Sequence, residues 1–201
     1  MLDRPATSLI KPLVIRLAGL LQRAGVSANQ LTFSGFLIGL FAAVLIANSY
    51  YLTGVLALLT SRMCDALDGA VARLTHATDR GGFLDITLDF LFYASIPLAF
   101  AINDPARNAL PAAVLLAAFV GTSSSFLAFA VIAAKRQLVS LDYPDKSFFF
   151  LGGLTEATET LLCFAAMCWW PAHFPVLAYG FAALCALTIV TRLVWGWRAF
   201  S

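Results

Sequence analysis

Four stretches of this chain, residues 31–61, 90–103, 108–134 and 160–191, contain no Asp, Glu, Lys or Arg. Apolar runs of this kind suit helices that cross a bilayer, at ~20 residues per span. The composition agrees: 61% of the 201 residues are hydrophobic and 12% charged, against roughly 45–50% and about 25% in soluble globular domains. Lipid rather than water is the expected solvent. The chain should be an all-α membrane protein, residues 1–201 forming one domain of about six transmembrane helices plus an N-terminal interfacial amphipathic helix.

Leu9, Leu13, Leu17, Leu20 and Leu21 recur at helical spacing among Lys11, Arg16 and Arg23, as in a helix over 8–24 lying in the interface plane. Gly25 is its expected stop. Spans are expected at about 31–50, 53–74, 82–103, 110–134, 148–169 and 174–195, a bundle over 31–195. Pro105, Pro144, Pro171 and Pro175 fall in or beside the turns, where a missing N–H costs least. With the N-terminus in the cytoplasm, that side collects Arg4, Lys11, Arg16, Arg23, Arg73, Arg80, Lys135, Arg136, Lys146, Arg192 and Arg198, leaving Arg107 outside and Arg62 within span two. The positive-inside rule then puts both termini in the cytoplasm. Tyr50 and Tyr51 at one level and Trp195 and Trp197 at the other suit an aromatic belt. Lys11, Pro12 and Arg16 interrupt the first apolar stretch, so a cleaved signal peptide is not expected. A net charge of +2 without a basic run argues against nucleic acid as a partner. Cys64, Cys163, Cys168 and Cys185 form no C-x-x-C pair and read as small core residues. His76 and His173 read as loop residues.

A carboxylate in hydrocarbon costs about 2.5–3.5 kcal/mol even on the lenient insertion scale, yet Asp65, Asp68, Asp85 and Asp89 occupy spans two and three. Asp65 and Asp68 are spaced i, i+3, and Asp85 and Asp89 i, i+4, so each pair shares a helix face. Two adjacent antiparallel helices can aim all four at one point. Like charges gathered there require compensation, and an all-oxygen donor set selects hard divalent ions such as Mg²⁺ or Mn²⁺. The competing reading is an ion network with Arg62, Arg73, Arg80 and Arg192. Gly69 and Gly81 flank the acids where a ligand could approach backbone, and Arg73 supplies a fork for phosphate oxygens. Together these residues describe a diphosphate site.

The pattern Asp65-x-x-Asp68-Gly69-x-x-Ala72-Arg73, then seven residues, then Gly81-x-x-x-Asp85-x-x-x-Asp89 resembles the signature of the CDP-alcohol phosphotransferase (CDP-alcohol phosphatidyltransferase) family. Eight identities at roughly 5–8% background usage coincide by chance, at one register, with a probability on the order of 10⁻¹⁰. The family's gap from Arg to Gly is often written with eight residues. Here the spacing of Asp85 and Asp89 selects Gly81 over Gly82. The resemblance implies two divalent ions held by Asp65, Asp68, Asp85 and Asp89 on the diphosphate of a CDP-linked lipid donor, most simply CDP-diacylglycerol. It further implies that Asp89 is the base for the hydroxyl of a small polar alcohol, that CMP is released, and that the protein is a phospholipid-synthesising homodimer. Gly69, Ala72 and Gly81 would lie against the nucleotide and Arg73 against phosphate. Ser27-Ala28-Asn29-Gln30-Leu31-Thr32 resembles the family's Pro-Asn-x-x-Thr stretch with Ala28 for proline, so Asn29 and Thr32 are implied nucleotide contacts. The same residues also read as a helix N-cap. At ~1.5 Å per residue, Asp65 lies about 12 Å inward from Arg73, within the inner leaflet, facing the cytoplasm.

Glu156 and Glu159 on span five are a second anomaly. Counting ~1.5 Å per residue from Lys146, Glu156 lies about 15 Å deep, near the level of Asp65. Acids accompanied by Thr155, Thr158 and Thr160 favour a neutral or amine-bearing acceptor, whereas a pairing of either Glu with Arg62 is the structural alternative. Lys135, Arg136, Lys146 and Arg192 keep a phosphorylated acceptor in play, though basic residues at a cytoplasmic rim also serve as topological anchors. The small-residue run from Gly121 to Ser125 suits close helix contact. Two other functions share some features: an intramembrane prenyltransferase acting on a prenyl diphosphate, and a divalent-cation transporter lined by acids. The first resembles larger bundles with two separated acidic motifs, and the second leaves Arg73 and the glycines without a role.

Overall fold

The computed structural model describes residues 3–136 and 154–201, all helix and connecting turns. The helices are α1 (Asp3–Arg23), α2 (Ala28–Ala47), α3 (Tyr51–Leu74), α4 (Asp79–Asn103), α5 (Pro105–Lys135), α6 (Ala157–Trp169) and α7 (Phe174–Ala199), with a 3₁₀ turn at Pro171–His173 before α7. Among the described residues, four helical segments are long and apolar enough to cross a membrane: Ala28–Ala47, Asp79–Asn103, Pro105–Lys135 and Pro171–Ala199. α3, with 24 residues, has the length but carries Arg62, Asp65, Asp68 and Arg73. α6 has 13 residues, and the expected start of that span at 148, like Pro144 and Lys146, lies outside the described residues.

Local chemistry sets the helix ends. α1 stops in a Schellman arrangement: Val26 N–H reaches Leu21 O and Gly25 N–H reaches Gln22 O, each at 3.0 Å, with Gly25 at φ +79°. That left-handed conformation is the reason for glycine there. α2 then begins at a capping box, with Ser27 Oγ accepting from Gln30 N–H (3.3 Å) and Gln30 Oε1 accepting from Ser27 N–H (2.9 Å). Two orphan donors are satisfied reciprocally. At the other end of α2, Tyr50 N–H bonds Leu45 O (2.9 Å) and Ser49 N–H bonds Ile46 O (3.0 Å), so Ser49 takes the position glycine holds after α1. Asn103 Nδ2 donates to Ser49 Oγ (2.8 Å) and to Ala47 O (3.0 Å), which ties that turn to the end of α4.

α2 packs against α3 and α4, α1 against α3, and α5 against α4 and α7. The main core joins Ile46, Leu58, Phe92, Ile96, Phe100, Phe164 and Phe174, with Phe100 and Phe174 stacked at 4.5 Å. A smaller cluster of Val14, Ala18, Leu31, Leu67 and Val71 seats α1 on α3. Leu9, Leu13 and Leu20 on other faces of α1 are exposed. Much of the outside of the bundle is apolar, including Phe41, Leu56, Val120 and Val176, as expected where hydrocarbon is the solvent.

Small residues let the helices approach. A Cβ on Gly35 would lie 2.9 Å from Cys64 Cβ and 3.2 Å from Ser61 O, and one on Gly39 would lie 2.5 Å from Phe92 Cδ2. Gly35 and Gly39 form a G-x-x-x-G face against α3 and α4. Gly121 plays the same part between α5 and α7, where a Cβ would meet Ile189 Cδ1 at 2.5 Å. Replacing Gly35 by Leu is expected to destabilise the protein by about 1–3 kcal/mol through overpacking. Gly180→Ala, where nothing lies within 4 Å of an added Cβ, should be neutral or slightly stabilising. Thermal unfolding in detergent micelles compares the two.

Candidate active site

The site is built where α3 and α4 run antiparallel across the face of α2. α3 ends at Leu74, and α4 restarts five residues later behind an N-cap in which Thr78 Oγ1 accepts from Gly81 N–H at 3.1 Å. This short turn brings the last turns of α3 opposite the first turns of α4. One carboxylate oxygen from each of Asp65, Asp68 and Asp85 lies within 4.8 Å of the others. Two ligands on opposite sides of a hard cation at about 2.0–2.6 Å are separated by a distance of this order. Asp68 is 5% exposed, and its Oδ2 has no hydrogen-bond partner. A buried carboxylate oxygen without a donor is costly, and a divalent cation is the kind of group that would satisfy it.

Asp89 takes a different partner. Its Oδ1 accepts from Arg62 Nη1 at 2.6 Å, and the same nitrogen lies 3.4 Å from Asp65 Oδ1. Arg62 also donates from Nη2 to Ser61 Oγ at 3.2 Å, while Ser61 donates to Gly35 O at 2.7 Å. Its guanidinium lies 3.8 Å from the Phe92 ring centroid. The ion-network reading is thus realised for Arg62 with Asp65 and Asp89. Asp68 and Asp85 form no ion pair among the described residues.

The other residues of the motif surround this hollow. Thr32 lines it together with Asp65, Asp85 and Asp89. Its own hydroxyl donates back to Ala28 O at 3.0 Å. A Cβ on Gly69 would lie 3.4 Å from Arg73 Nη1, so the Arg73 side chain folds back over Gly69 toward the acids. A Cβ on Gly81 would lie 3.1 Å from both Asn29 Oδ1 and Thr78 Oγ1, which brings Asn29 to the start of α4. Ala72 is half-buried beside Arg73. The capping box of Ser27 and Gln30 is therefore compatible with Asn29 and Thr32 facing the site.

A second cavity, of ≈ 240 Å³, opens beyond Asp89, which borders both spaces. α4, α5, α6 and α7 enclose it, and its polar lining includes Thr122, Ser123, Thr155, Glu156, Thr160 and Arg192. Of the expected acceptor contacts, Glu156 and Arg192 are brought here. Glu159 instead shares a capping box with Glu156 at the start of α6, Glu156 N–H donating to Glu159 Oε2 at 3.2 Å. Lys135 is exposed at the end of α5. Arg136 donates to Phe200 O at 2.7 Å, joining the ends of α5 and α7. Lys146 is outside the described residues. Thr122 and Ser123 were read from sequence only as part of a small-residue run for helix contact and Phe126 was not singled out, because their convergence on the cavity depends on how α5 meets α7. The G-x-x-x-G spacing of Gly35 and Gly39 was a usable local signal for close packing of α2.

Intramembrane helices around a carboxylate cluster define a class of integral membrane enzyme, and the comparisons specify it. The profile of the CDP-alcohol phosphatidyltransferase family matches residues 26–195, and the chain belongs to that family of transferases of phospholipid biosynthesis. It is 49% identical over 195 residues to the inner membrane protein YnjF of Escherichia coli (strain K12), covering 97% of this chain and 94% of that one. An archaetidylinositol phosphate synthase of Pyrococcus horikoshii is 39% identical over 100 residues, 49% of this chain and 53% of the relative. The fold resembles the crystal structure of Mycobacterium tuberculosis phosphatidylinositol phosphate synthase (PgsA1) with CDP-DAG bound, at a TM-score of 0.72 and 21% identity over 92% of this chain and 94% of that one. The same enzyme in complex with manganese and citrate gives 0.69 and 22%, over 92% and 88%. The prenyltransferase and transporter readings are not favoured by these relationships.

The Arg62 and Asp89 pair is open to a double-mutant cycle. Arg62→Met and Asp89→Asn should each destabilise the protein, with a coupling of about 1–3 kcal/mol, below a fully buried pair because the Asp89 side chain is 30% exposed. Thermal unfolding of the four proteins in detergent, without divalent ions, measures it.

Proposed function

We propose that this protein transfers a substituted phosphate group from a CDP-linked lipid, most simply CDP-diacylglycerol, to the hydroxyl of a small polar alcohol, releasing CMP. The observation that carries this reading is the convergence of Asp65, Asp68 and Asp85 oxygens within 4.8 Å, with Asp89 on the wall between that hollow and the second cavity.

Asp65, Asp68, Asp85 and Asp89 would hold two divalent ions, Mg²⁺ or Mn²⁺. When bound, these ions supply charge neutralisation for the diphosphate and for the departing CMP phosphate. The unpartnered Oδ2 of buried Asp68 supports the fit. Arg73, lying over Gly69, orients diphosphate oxygens through its planar fork, while Asn29, Thr32, Gly69, Ala72 and Gly81 form the bed of the nucleotide. Asp89 accepts the proton of the acceptor hydroxyl. The acceptor oxygen then bonds to the phosphorus bearing the lipid, the bond from that phosphorus to the bridging oxygen breaks, and the electron pair leaves on CMP. In-line transfer of this kind requires no covalent enzyme intermediate.

The same reading takes residues 1–201 as one transmembrane domain. α2 to α7 make six crossings over 31–195. The helix expected over 8–24 corresponds to α1, which lies in the interface, its exposed Leu9, Leu13 and Leu20 toward lipid. Both termini and the active site face the cytoplasm, where the basic residues concentrate, and the protein functions as a homodimer. The lipid tails of the donor stay in the bilayer as its headgroup enters the hollow between α2, α3 and α4.

Purified protein supplied with Mn²⁺, CDP-diacylglycerol and a mixture of alcohols should release CMP and form a new phospholipid. Chelation should abolish turnover, and restored Mn²⁺ or Mg²⁺ should recover it. Asp68→Asn and Asp85→Asn should remove detectable turnover and weaken Mn²⁺ binding measured by calorimetry, while Asp89→Asn should lower kcat by about 10²–10⁴-fold. Full turnover by Asp68→Asn would exclude the proposed site.

A further inference from the structure

We infer that Arg62 is a positioning residue of the transfer reaction: a built-in cation that fixes Asp89 from the side of the ion hollow, turns its second oxygen to the acceptor, and restrains the affinity of the aspartates for divalent ions. The inference rests on the transferase reading above and adds to it a residue outside the motif, one turn before Asp65 on α3.

The guanidinium bridges two helices. Nη1 donates to Asp89 Oδ1 on α4 at 2.6 Å and lies 3.4 Å from Asp65 Oδ1 on its own helix. Its remaining supports are uncharged. Ser61 Oγ accepts from Nη2 at 3.2 Å and donates to Gly35 O at 2.7 Å, while the ring centroids of Phe92 and Tyr93 lie 3.8 and 5.6 Å from the guanidinium carbon. α2, α3 and α4 thus set its position together. Arg62 borders the hollow that Thr32, Asp65 and Asp85 line and takes no part in the wall of the second cavity, whereas Asp89 borders both. The cation grips Asp89 from the hollow, and the direction left to the carboxylate is toward the second cavity.

Folding stability does not explain this residue. The Arg62 side chain is 10% exposed and its buried Nε has no hydrogen-bond partner, and a buried ion pair is often no more stabilising than apolar side chains of similar volume. A rigid cation is, however, what a carboxylate needs to keep one orientation through a proton transfer, where a displacement of about 1 Å can lower the rate about 10²-fold. The same charge acts on ions. It touches two of the four aspartates, and like charges at such distances repel. A divalent ion is therefore held less tightly near Asp65 and Asp89 than near Asp68 and Asp85, which form no ion pair among the described residues. Turnover and ion binding then respond to the loss of Arg62 in opposite directions, the first falling as the second tightens. A residue that merely spaced the helices would, on removal, scatter the carboxylates and weaken both.

The test compares the full chain with its Arg62→Met, Arg62→Lys and Ser61→Ala variants in detergent. Mn²⁺ binding is measured by calorimetry without nucleotide, and CMP release is measured at saturating Mn²⁺ with CDP-diacylglycerol and whichever of serine, inositol, inositol phosphate and glycerol phosphate releases most CMP. Arg62→Met should bind Mn²⁺ about tenfold or more tightly, and added Mn²⁺ should raise its unfolding temperature further than that of the wild type, while kcat falls by about 10–100-fold. Arg62→Lys, which keeps the charge without the fork, should retain the wild-type Mn²⁺ affinity and recover only part of kcat. Ser61→Ala leaves every charge in place and should lower kcat by a smaller factor with Mn²⁺ affinity unchanged. Weaker Mn²⁺ binding by Arg62→Met, or a wild-type kcat in that variant, overturns the inference and leaves the transferase reading standing. Should Arg62→Met fail to fold, wild-type kcat in both Arg62→Lys and Ser61→Ala overturns it instead. No CMP release by the wild type with any of the alcohols overturns both readings.

Discussion

The structure turns on a concentration of carboxylates where water is scarce. Asp65, Asp68, Asp85 and Asp89 are placed together by two helices whose connecting turn is short, and each charge there costs more than in water. Arg62 offsets part of that cost from inside the same helix, lying between Asp65 and Asp89 and resting on the ring of Phe92. Asp68 and Asp85 have no such counter-ion among the described residues. The cluster is thus divided into a half compensated by the protein and a half suited to an external cation.

That division depends on backbone proximity. Ser61, which accepts from Arg62, also donates to Gly35 O, and this bond requires α2 and α3 to lie closer than a Cβ at Gly35 would permit. Gly39 makes room for Phe92, and Phe92 supports the guanidinium. A run of small residues on α2 therefore sets the position of a cation on α3 and, through it, of a carboxylate on α4. In a bilayer, where apolar burial contributes little to helix association, packing of this kind and buried polar bonds carry the assembly.

What could be read from sequence was local. The i, i+3 and i, i+4 spacings fixed which helix face the aspartates share, and Gly25 and Ser27 marked helix ends because left-handed backbone and side-chain caps have distinct residue preferences. An ion network of the aspartates with Arg62 was readable, but not which of them it bonds most closely, since Asp89 lies 27 residues away and Asp65 is the nearer choice along the helix. Glu156 and Glu159 were visible as acids at depth, but their mutual cap emerges only once α6 is known to begin at Ala157. The cavity itself draws on four helices. Thr155 stood out only as a neighbour of Glu156 and Thr122 only within the run from Gly121 to Ser125, and no local spacing places the two in one cavity.

Asp89 is where these threads meet. Arg62 binds Oδ1, and a carboxylate held on one side by a fixed cation keeps its orientation, so that, as proposed above, its other oxygen would face the acceptor hydroxyl. In the reading proposed above, the acceptor hydroxyl reaches that oxygen from the second cavity, which Asp89 borders. Proton transfer to Asp89 would then need no rearrangement of the protein, because Arg62 already holds the carboxylate at the boundary of the two cavities.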